Sequence, residues 1–131
     1  MRVLLDTHVL LWWLLADKRL STPARNVIAE AENEVLISPV SAMEIATKHR
    51  LGKLPEAATL AIDFREIIAA QSFSELPLSI DQARLAGTLP GEHRDPFDRL
   101  LAAQCLVEDL ALVSGDVAFD EFGVRRLWSG T

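Results

Sequence analysis

Cysteine, basic residues and long apolar runs are all scarce in this chain of 131 residues, and each shortage excludes a class of protein. Cys105 is the only cysteine, so neither an internal disulfide nor a cysteine-rich zinc site is possible. The longest unbroken apolar run, residues 9–16, is much shorter than the roughly 20 residues that cross a bilayer. Lys and Arg number 13 against 19 Asp and Glu, and the formal charge of -6 counts against a nucleic-acid partner.

What the chain does contain is apolar residues enough for a core. Hydrophobic residues make up 50% of it and the mean hydropathy is +0.19, which is typical of a folded protein. There is no internal repeat and no linker, so we expect one domain over residues 1–131. Asp6 and His8 interrupt the apolar N-terminal stretch, and no small-x-small cleavage site follows it. We therefore expect a cytoplasmic protein without a membrane partner.

Short apolar runs alternate along the chain with segments of helical periodicity. Strands are predicted at residues 2–6, 35–38, 76–78, 111–113 and 125–128. Helices are predicted at residues 8–15, 24–34, 41–52, 57–71, 79–89, 95–109 and 117–122. Strands that are apolar throughout must be buried on both sides, and this order favours parallel pairing. The sequence therefore predicts an α/β fold, a three-layer α/β/α sandwich with a central parallel sheet.

Four acidic residues follow or flank predicted strands at what should be one edge of that sheet. They are Asp6, Glu44, Asp98 and Asp116. Ligand sites in open parallel sheets lie at the carboxyl ends of the strands, so these side chains are expected to converge. Like charges at close range repel unless a cation holds them together. Because all four side chains provide oxygen ligands, the pattern favours Mg²⁺ or Mn²⁺.

A purely structural interpretation of the same acids is also open. Asp6, Asp95 and Asp116 each precede a predicted helix and can serve as its N-cap. Glu44 has the spacing of a capping box begun by Ser41, and Asp98 complements a helix dipole. Taken singly, each acid fits a cap better than a metal ligand. Their coincidence at one edge favours the metal site.

Other polar and aromatic residues carry weaker signals. Four cationic side chains near the acids can hold phosphates, although each taken singly is more simply a surface charge: Lys48, Arg50, Arg94 and Arg99. His8, His49 and His93 lack the spacing of a zinc site. Trp12 and Trp13 are adjacent on a helix, so both cannot be equally buried; one is expected in the core and the other at a partner interface, and core packing of both stays open.

Taken together, these motifs resemble the PIN domain. They are Asp6-Thr7, Glu44 within Ser-Ala-Met-Glu-Ile, Asp98 within His-Arg-Asp-Pro-Phe-Asp-Arg-Leu-Leu-Ala-Ala-Gln, and Ser114-Gly-Asp116 with Phe119. The resemblance spans essentially the whole chain and is closest to the VapC-type ribonuclease toxins of bacterial toxin–antitoxin pairs. The family often has a polar or basic residue where this chain has Gly115.

That resemblance implies a PIN-like fold and an endoribonuclease that depends on Mg²⁺ or Mn²⁺. The family's four acids correspond to Asp6, Glu44, Asp98 and Asp116, which it makes both catalytic residues and metal ligands. Asp95 is an additional acid, either part of the metal shell or only a helix cap. The implied partners are an RNA substrate, a small cognate antitoxin and a second copy of the chain in a homodimer.

Other functions of an α/β protein with acids at strand ends fit the sequence less well. A receiver-like phosphoacceptor domain needs a lysine late in the chain, whereas the last lysine here is Lys53. An aspartate-nucleophile phosphatase needs Asp-x-Asp after the first strand, where this chain has Asp6-Thr7-His8. A non-catalytic protein-binding module on the same fold stays open as the alternative, although retention of all four acids argues against it.

Overall fold

The structure is a computed structural model that describes residues 1–129, and this part of the chain forms five strands and seven α-helices. In chain order they are β1 (Arg2–Leu5), α1 (Thr7–Leu14), α2 (Thr22–Ala29), β2 (Glu34–Ile37), α3 (Pro39–Arg50), α4 (Ala58–Ile62), α5 (Phe64–Ala70), β3 (Ser74–Glu75), α6 (Ile80–Thr88), α7 (Pro96–Glu108), β4 (Ala111–Val113) and β5 (Arg126–Leu127). Short 3₁₀ segments lie at Pro55–Ala57 and Val117–Phe122.

The five strands form one parallel sheet in the order β3-β2-β1-β4-β5. β1 is central, and its Val3 pairs with Val35 on one side and Ala111 on the other. The chain first builds the sheet outward through β2 and β3, then crosses to the other side for β4 and β5. This reversal of direction creates a switch point between β1 and β4, where open parallel sheets place their ligand sites.

Both faces of the sheet are covered by helices, because successive residues of each strand point to opposite sides. Val3 and Leu5 of β1 pack into a cluster with residues of α1, α2, α4 and α5. Leu4 points the other way, into a cluster with residues of α7 and the 3₁₀ segment near Phe119. The predicted three-layer α/β/α sandwich with a central parallel sheet is confirmed.

Several predicted boundaries were wrong, each for a local reason. The predicted helix 57–71 is two helices, because the backbone of Asp63 (φ −109°, ψ 34°) ends α4 and precedes α5. The helix predicted at 24–34 stops at Ala29, and Asn33 donates a side-chain hydrogen bond back to the Val27 carbonyl (2.9 Å). The edge strand predicted at 76–78 lies at Ser74–Glu75, before the proline.

The two adjacent tryptophans also differ from expectation, since both are half-buried. Trp12 packs against Trp128, with ring centroids 5.9 Å apart. Trp13 packs against Phe73 and donates its indole N–H to Gln71 (2.9 Å). The two side chains flank the buried stripe of α1 instead of dividing into one core and one surface residue.

Cys105 is buried, as expected of an inert core residue, and burial raises the pKa of its thiol to about 12. No helix among residues 1–129 combines the length and the apolar character that a membrane span requires.

Candidate active site

Asp6 lies at the junction of β1, β4 and α1. Its backbone N–H donates to the Val113 carbonyl (3.1 Å), which extends the pairing of β1 with β4. Its side chain is 5% exposed and accepts a hydrogen bond from the Ser114 hydroxyl (2.8 Å). Although Asp6 occupies the N-cap position of α1, its carboxylate makes no capping hydrogen bond. The interpretation of this carboxylate as a helix cap was therefore wrong.

Glu44 is an interior residue of α3 and not part of a capping box. The helix starts at Pro39, and the Ser38 hydroxyl caps it by accepting the Val40 N–H (3.0 Å). Ser41, the expected cap, is instead buried inside the helix and shares a hydrogen bond with the Thr7 hydroxyl (2.9 Å). The predicted start of this helix was wrong because the strand ends earlier, and the capping explanation of Glu44 fails with it.

The carboxylate of Glu44 is buried, at 3% exposed, and its two oxygens differ in their hydrogen bonding. Its Oε2 accepts a hydrogen bond from the ammonium of Lys48, one turn along α3, at 2.5 Å. Its Oε1 is buried and has no hydrogen-bond partner among residues 1–129. A buried oxygen in this state costs free energy, and it is an open position for a cation.

Asp95 and Asp98 lie at the start of α7. Asp95 is a true N-cap, and its Oδ1 accepts the N–H groups of Phe97 (2.9 Å) and Asp98 (3.2 Å). The side chain of Asp98 is 14% exposed, and its Oδ2 lies 2.7 Å from Nε2 of His93. At the start of α7, Asp95 is thus hydrogen-bonded to the backbone and Asp98 to a side chain.

Asp116 follows β4 in an exposed position. Its Oδ1 accepts the N–H of Ala118 (2.9 Å), so it caps the 3₁₀ segment as the cap interpretation expected. Its own N–H donates to the Ser114 hydroxyl (3.0 Å). Because that hydroxyl also donates to Asp6, Ser114 connects the first and the last acid of the site.

Gly115 is required by packing at this point. A Cβ built there would lie 2.8 Å from Cε2 of Trp128, so the indole occupies the space that a side chain would need. The departure from the family pattern at this position is explained by the tryptophan that covers it.

The acids influence one another electrostatically. Burial raises the pKa of Asp6, and the negative charge of Glu44 adds to the effect, against the hydrogen bond from Ser114. Burial raises the pKa of Asp98 to about 6, with further contributions from Asp95 and Asp6. The hydrogen bond to Asp98 raises the pKa of His93, and the charges of Asp116 and Asp95 act in the same sense. The site therefore disfavours further negative charge and would favour a cation.

The residue types suit a divalent ion, but their side chains do not enclose one in the arrangement described here. The donors are carboxylate oxygens, the ligands of Mg²⁺ and Mn²⁺, and Glu44 Oε1 is an unpartnered buried acceptor. Across residues 1–129, no three His, Cys, Asp or Glu side chains stand close enough together to enclose one ion. A shared metal site at these acids thus stays a prediction.

Two of the four cationic residues have defined partners. Lys48 neutralises Glu44, as described above. Arg99 donates to the backbone carbonyls of Ala86 (2.8 Å), His93 (2.9 Å) and Leu89. Arg99 is therefore not a solvated surface charge, and that interpretation of it was wrong. Arg50 and Arg94 are exposed.

Sequence reasoning missed the residues that hold the acids. The Ser114 hydroxyl donates to Asp6 and His93 contacts Asp98, while the hydroxyls of Thr7 and Ser41, each next to or one helical turn from an acid, bond each other. Each lies within three residues of a predicted acid or, for His93, in the same motif. Polar residues adjacent to strand-end acids were the available signal, but pairing them requires the sheet order. Of the other histidines, His8 is exposed.

Comparisons with known proteins agree on one family. A family model described as PIN domain matches residues 3–124. Ribonuclease VapC22 of Mycobacterium tuberculosis is 29% identical over 115 residues, which cover 87% of this chain and 86% of that protein.

Solved structures show the same fold at lower sequence identity. The structure of VapBC2 from Rickettsia felis bound to a promoter DNA fragment is similar with a TM-score of 0.72 and 17% identity, covering 98% of this chain and 100% of that one. A toxin–antitoxin complex from Klebsiella pneumoniae is similar with a TM-score of 0.56 and 21% identity, covering 88% and 87%.

Proposed function

The chain belongs to the PIN-domain family, and we propose that it is a divalent-metal-dependent endoribonuclease, the toxin of a toxin–antitoxin pair. The observation that carries the proposal is Glu44, which is buried, lies inside α3, is not a cap, and has one oxygen without a hydrogen-bond partner in the described part of the chain. A structural role in α3 does not explain the buried carboxylate of Glu44, because an unpaired buried polar atom destabilises the fold. The ribonuclease name of the Mycobacterium relative supports the reaction type.

We assign the metal to Asp6, Glu44, Asp98 and Asp116, with Mg²⁺ as the first candidate and Mn²⁺ as the second. Asp95 belongs to the same acidic group, in addition to its cap. When bound, such an ion activates a water and neutralises charge that develops on the scissile phosphate. Because Lys48 already neutralises part of the charge of Glu44, the site tolerates its buried acid in the absence of the ion.

The residues around the acids have separate tasks in this proposal. Ser114 orients Asp6, which follows β1 at the switch point, by donating to its Oδ2. The Asp95 cap fixes the start of α7 and so the position of Asp98. An open cleft of about 700 Å³ beside His93 is lined partly by exposed Arg94, which gives an RNA strand both room and a cation for a flanking phosphate.

The partner in this proposal is a small antitoxin protein, as the Klebsiella complex suggests. An acidic site of net negative charge favours a partner segment with a basic side chain near the acids. We further infer a cytoplasmic location, where the RNA substrate is, and a homodimer.

Purification away from any partner and an RNA cleavage assay test the proposal. Cleavage is expected with Mg²⁺ or Mn²⁺ and is expected to stop with EDTA, while Ca²⁺ should give little cleavage because its coordination is larger and looser. The melting temperature should rise with Mg²⁺ or Mn²⁺ by mass action on the folded state. RNA left intact under all of these conditions would favour the alternative, a non-catalytic binding module.

A further inference from the structure

The loop between α6 and α7, residues 89–95, is held in place by one arginine. Arg99 bonds the carbonyl of Ala86 at the end of α6, that of Leu89 at the start of the loop and that of His93 near its end. Its guanidinium also lies over the ring of Phe122, 5.4 Å from the centroid. Because the guanidinium is planar and donates from three separate nitrogens, it can bridge three carbonyls that lie apart.

Glu121 also holds this loop. Its Oε1 accepts the backbone N–H of His93 (3.2 Å). The carboxylate lies so close to Gly91 (φ +111°) that a Cβ there would be 1.8 Å from Oε1. The loop passes at this distance only because residue 91 has no side chain, and its positive φ also favours glycine.

These contacts fix the imidazole of His93. The N–H and the carbonyl of this residue are both bonded, and its ring packs edge-on against Phe122 with centroids 5.8 Å apart. The side chain is 23% exposed, and its Nε2 lies 2.7 Å from Asp98 Oδ2. An ionised carboxylate only accepts hydrogen bonds, so Nε2 is the donor.

Each of the four acids has one oxygen held by a donor. The pairs are Asp6 with Ser114, Glu44 with Lys48, Asp98 with His93, and Asp116 with the N–H of Ala118. Lys48 lies in α3 and Ala118 in a 3₁₀ segment, whereas Ser114 directly follows β4 and His93 comes from the loop that Arg99 and Glu121 fix. Rigid placement of this loop has no evident role in the core, since most of its residues are exposed.

We propose that His93 is a positioning residue, whose Nε2–H fixes the carboxylate of Asp98 so that its other oxygen faces the metal. The inference rests on the proposed function, because it requires Asp98 to be a ligand. Groups that orient a metal ligand typically change metal affinity or activity by roughly 10- to 100-fold when removed. His93 therefore acts through Asp98 and is not itself assigned contact with the substrate.

Three substitutions at His93 test this role. His93→Gln places an amide nitrogen near the position of Nε2, whereas His93→Asn reaches only to that of Nδ1, and His93→Ala has no donor. The readouts are the Mn²⁺ concentration for half of the full melting-temperature rise and for half-maximal RNA cleavage. The Ala and Asn variants should need roughly 10- to 100-fold more Mn²⁺ in both readouts, with the KM for RNA at saturating Mn²⁺ changed less than about 2-fold. His93→Gln should recover most of the loss.

A double variant shows whether His93 works through Asp98. Adding His93→Ala to Asp98→Asn should cause no further change in the Mn²⁺ response, because residues that act as a unit are not additive. If the two losses multiply, His93 has another role and the proposal is overturned.

The outcome also separates this inference from the proposed function. A wild-type protein that responds to Mn²⁺ together with a His93→Ala variant that responds equally overturns the inference alone. A wild-type protein without any Mn²⁺ response overturns both. Should His93→Ala fail to fold, Glu121→Ala releases the backbone of His93 from an exposed position, and it should weaken the Mn²⁺ response several-fold while Glu121→Gln, which keeps an acceptor, should not.

Discussion

At the scale of single residues, hydrogen bonding separates the acids of the site into two kinds. Asp95 and Asp116 accept backbone N–H groups at helix starts, so the fold itself explains their presence. Asp6 and Glu44 make no such bond and are almost fully buried. A buried carboxylate is destabilising unless it is compensated. These two residues are therefore the ones that only a function explains.

Replacement of Asp6 by asparagine should keep the fold and abolish catalysis. The amide oxygen of Asp6→Asn can still accept from Ser114, and removal of a buried charge should leave the metal-free melting temperature equal or higher. RNA cleavage should fall by roughly 100-fold or more, because one anionic ligand is lost. Asp81→Asn, at an exposed acid of α6, is the matched control and should cleave normally. Wild-type rates in both Asp6→Asn and Asp98→Asn would refute the assignment of the metal site.

Raised pKa values predict an inverted pH dependence of stability in the metal-free protein. The pKa of Asp98 is about 6 and that of Asp6 is raised, both mainly through burial, so the folded state binds protons that the unfolded chain releases. Stability is then lost as the pH rises from about 4 through about 6, and the raised pKa of His93 continues the loss at higher pH.

The melting temperature without metal should thus be higher at pH 5 than at pH 7.5, by roughly 3–6 °C for each kcal/mol involved. Saturating Mn²⁺ should reduce or reverse the difference, since a bound cation favours the ionised acids. Asp98→Asn is expected to flatten the metal-free profile. A metal-free melting temperature that climbs steadily from pH 5 to 7.5 would contradict the electrostatic description of the site.

At the scale of elements, local patterns predicted the order of strands and helices but not all their limits. Apolar runs located the four strands nearest the site, because a buried parallel strand has a composition unlike a surface helix. The cap of α3 was misassigned, since Ser38 and Ser41 are both plausible caps and only the end of β2 decides between them. The contacts of Arg99, across the loop from α6, depend on tertiary structure and leave no periodic signal.

The turn after β4 offers a test at this scale. Gly115→Ala brings a Cβ to 2.8 Å from the Trp128 ring, which itself packs against Trp12. We expect a loss of about 1–3 kcal/mol in the free energy of unfolding, as is usual for overpacking, and a reduced cleavage rate because the turn carries Asp116.

Gly87→Ala is the control for that measurement. Gly87 lies within α6 with open space where a Cβ would be, so alanine there should stabilise the protein by about 0.5–1 kcal/mol. Urea unfolding of both variants measures the two changes in the free energy of unfolding. An equal effect of the two substitutions would show that Trp128 moves aside without cost.

At the scale of the whole molecule, the site exists only because the sheet order brings distant segments together. Asp6 and Ser114 are 108 positions apart in sequence, yet their side chains are hydrogen-bonded. The acidic composition that argued against a nucleic-acid partner is consistent with one in a metal-dependent enzyme, because the formal charge leaves out the ion. Composition alone was therefore a poor guide to the substrate.

Self-association is the first prediction for the molecule as a whole. The mean hydropathy of +0.19 is accompanied by large apolar side chains that are well exposed, among them Ile62 (79%), Met43 (64%) and Leu51 (53%). These lie on or at the ends of α3 and α4, which pack together. We expect a dimer in solution and a melting temperature that rises with protein concentration. Light scattering that finds a strict monomer at micromolar concentration would contradict this.

The second prediction at this scale concerns the antitoxin. A groove of about 290 Å³ between α1 and the α4–α5 pair is lined mainly by apolar side chains, including Leu11, Leu14 and Leu60. Trp13 lies next to it, bonded to Gln71 at its rim. We expect Trp12→Ala or Trp13→Ala to lower the affinity for the cognate antitoxin by at least 10-fold, because half-buried tryptophans often dominate an interface. Trp13→Ala should keep RNA cleavage, since its side chain contacts Phe73 and Gln71 and none of the acids, which separates a partner surface from damage to the fold. Calorimetric titration that finds the affinity unchanged in both variants would remove the tryptophans from the interface.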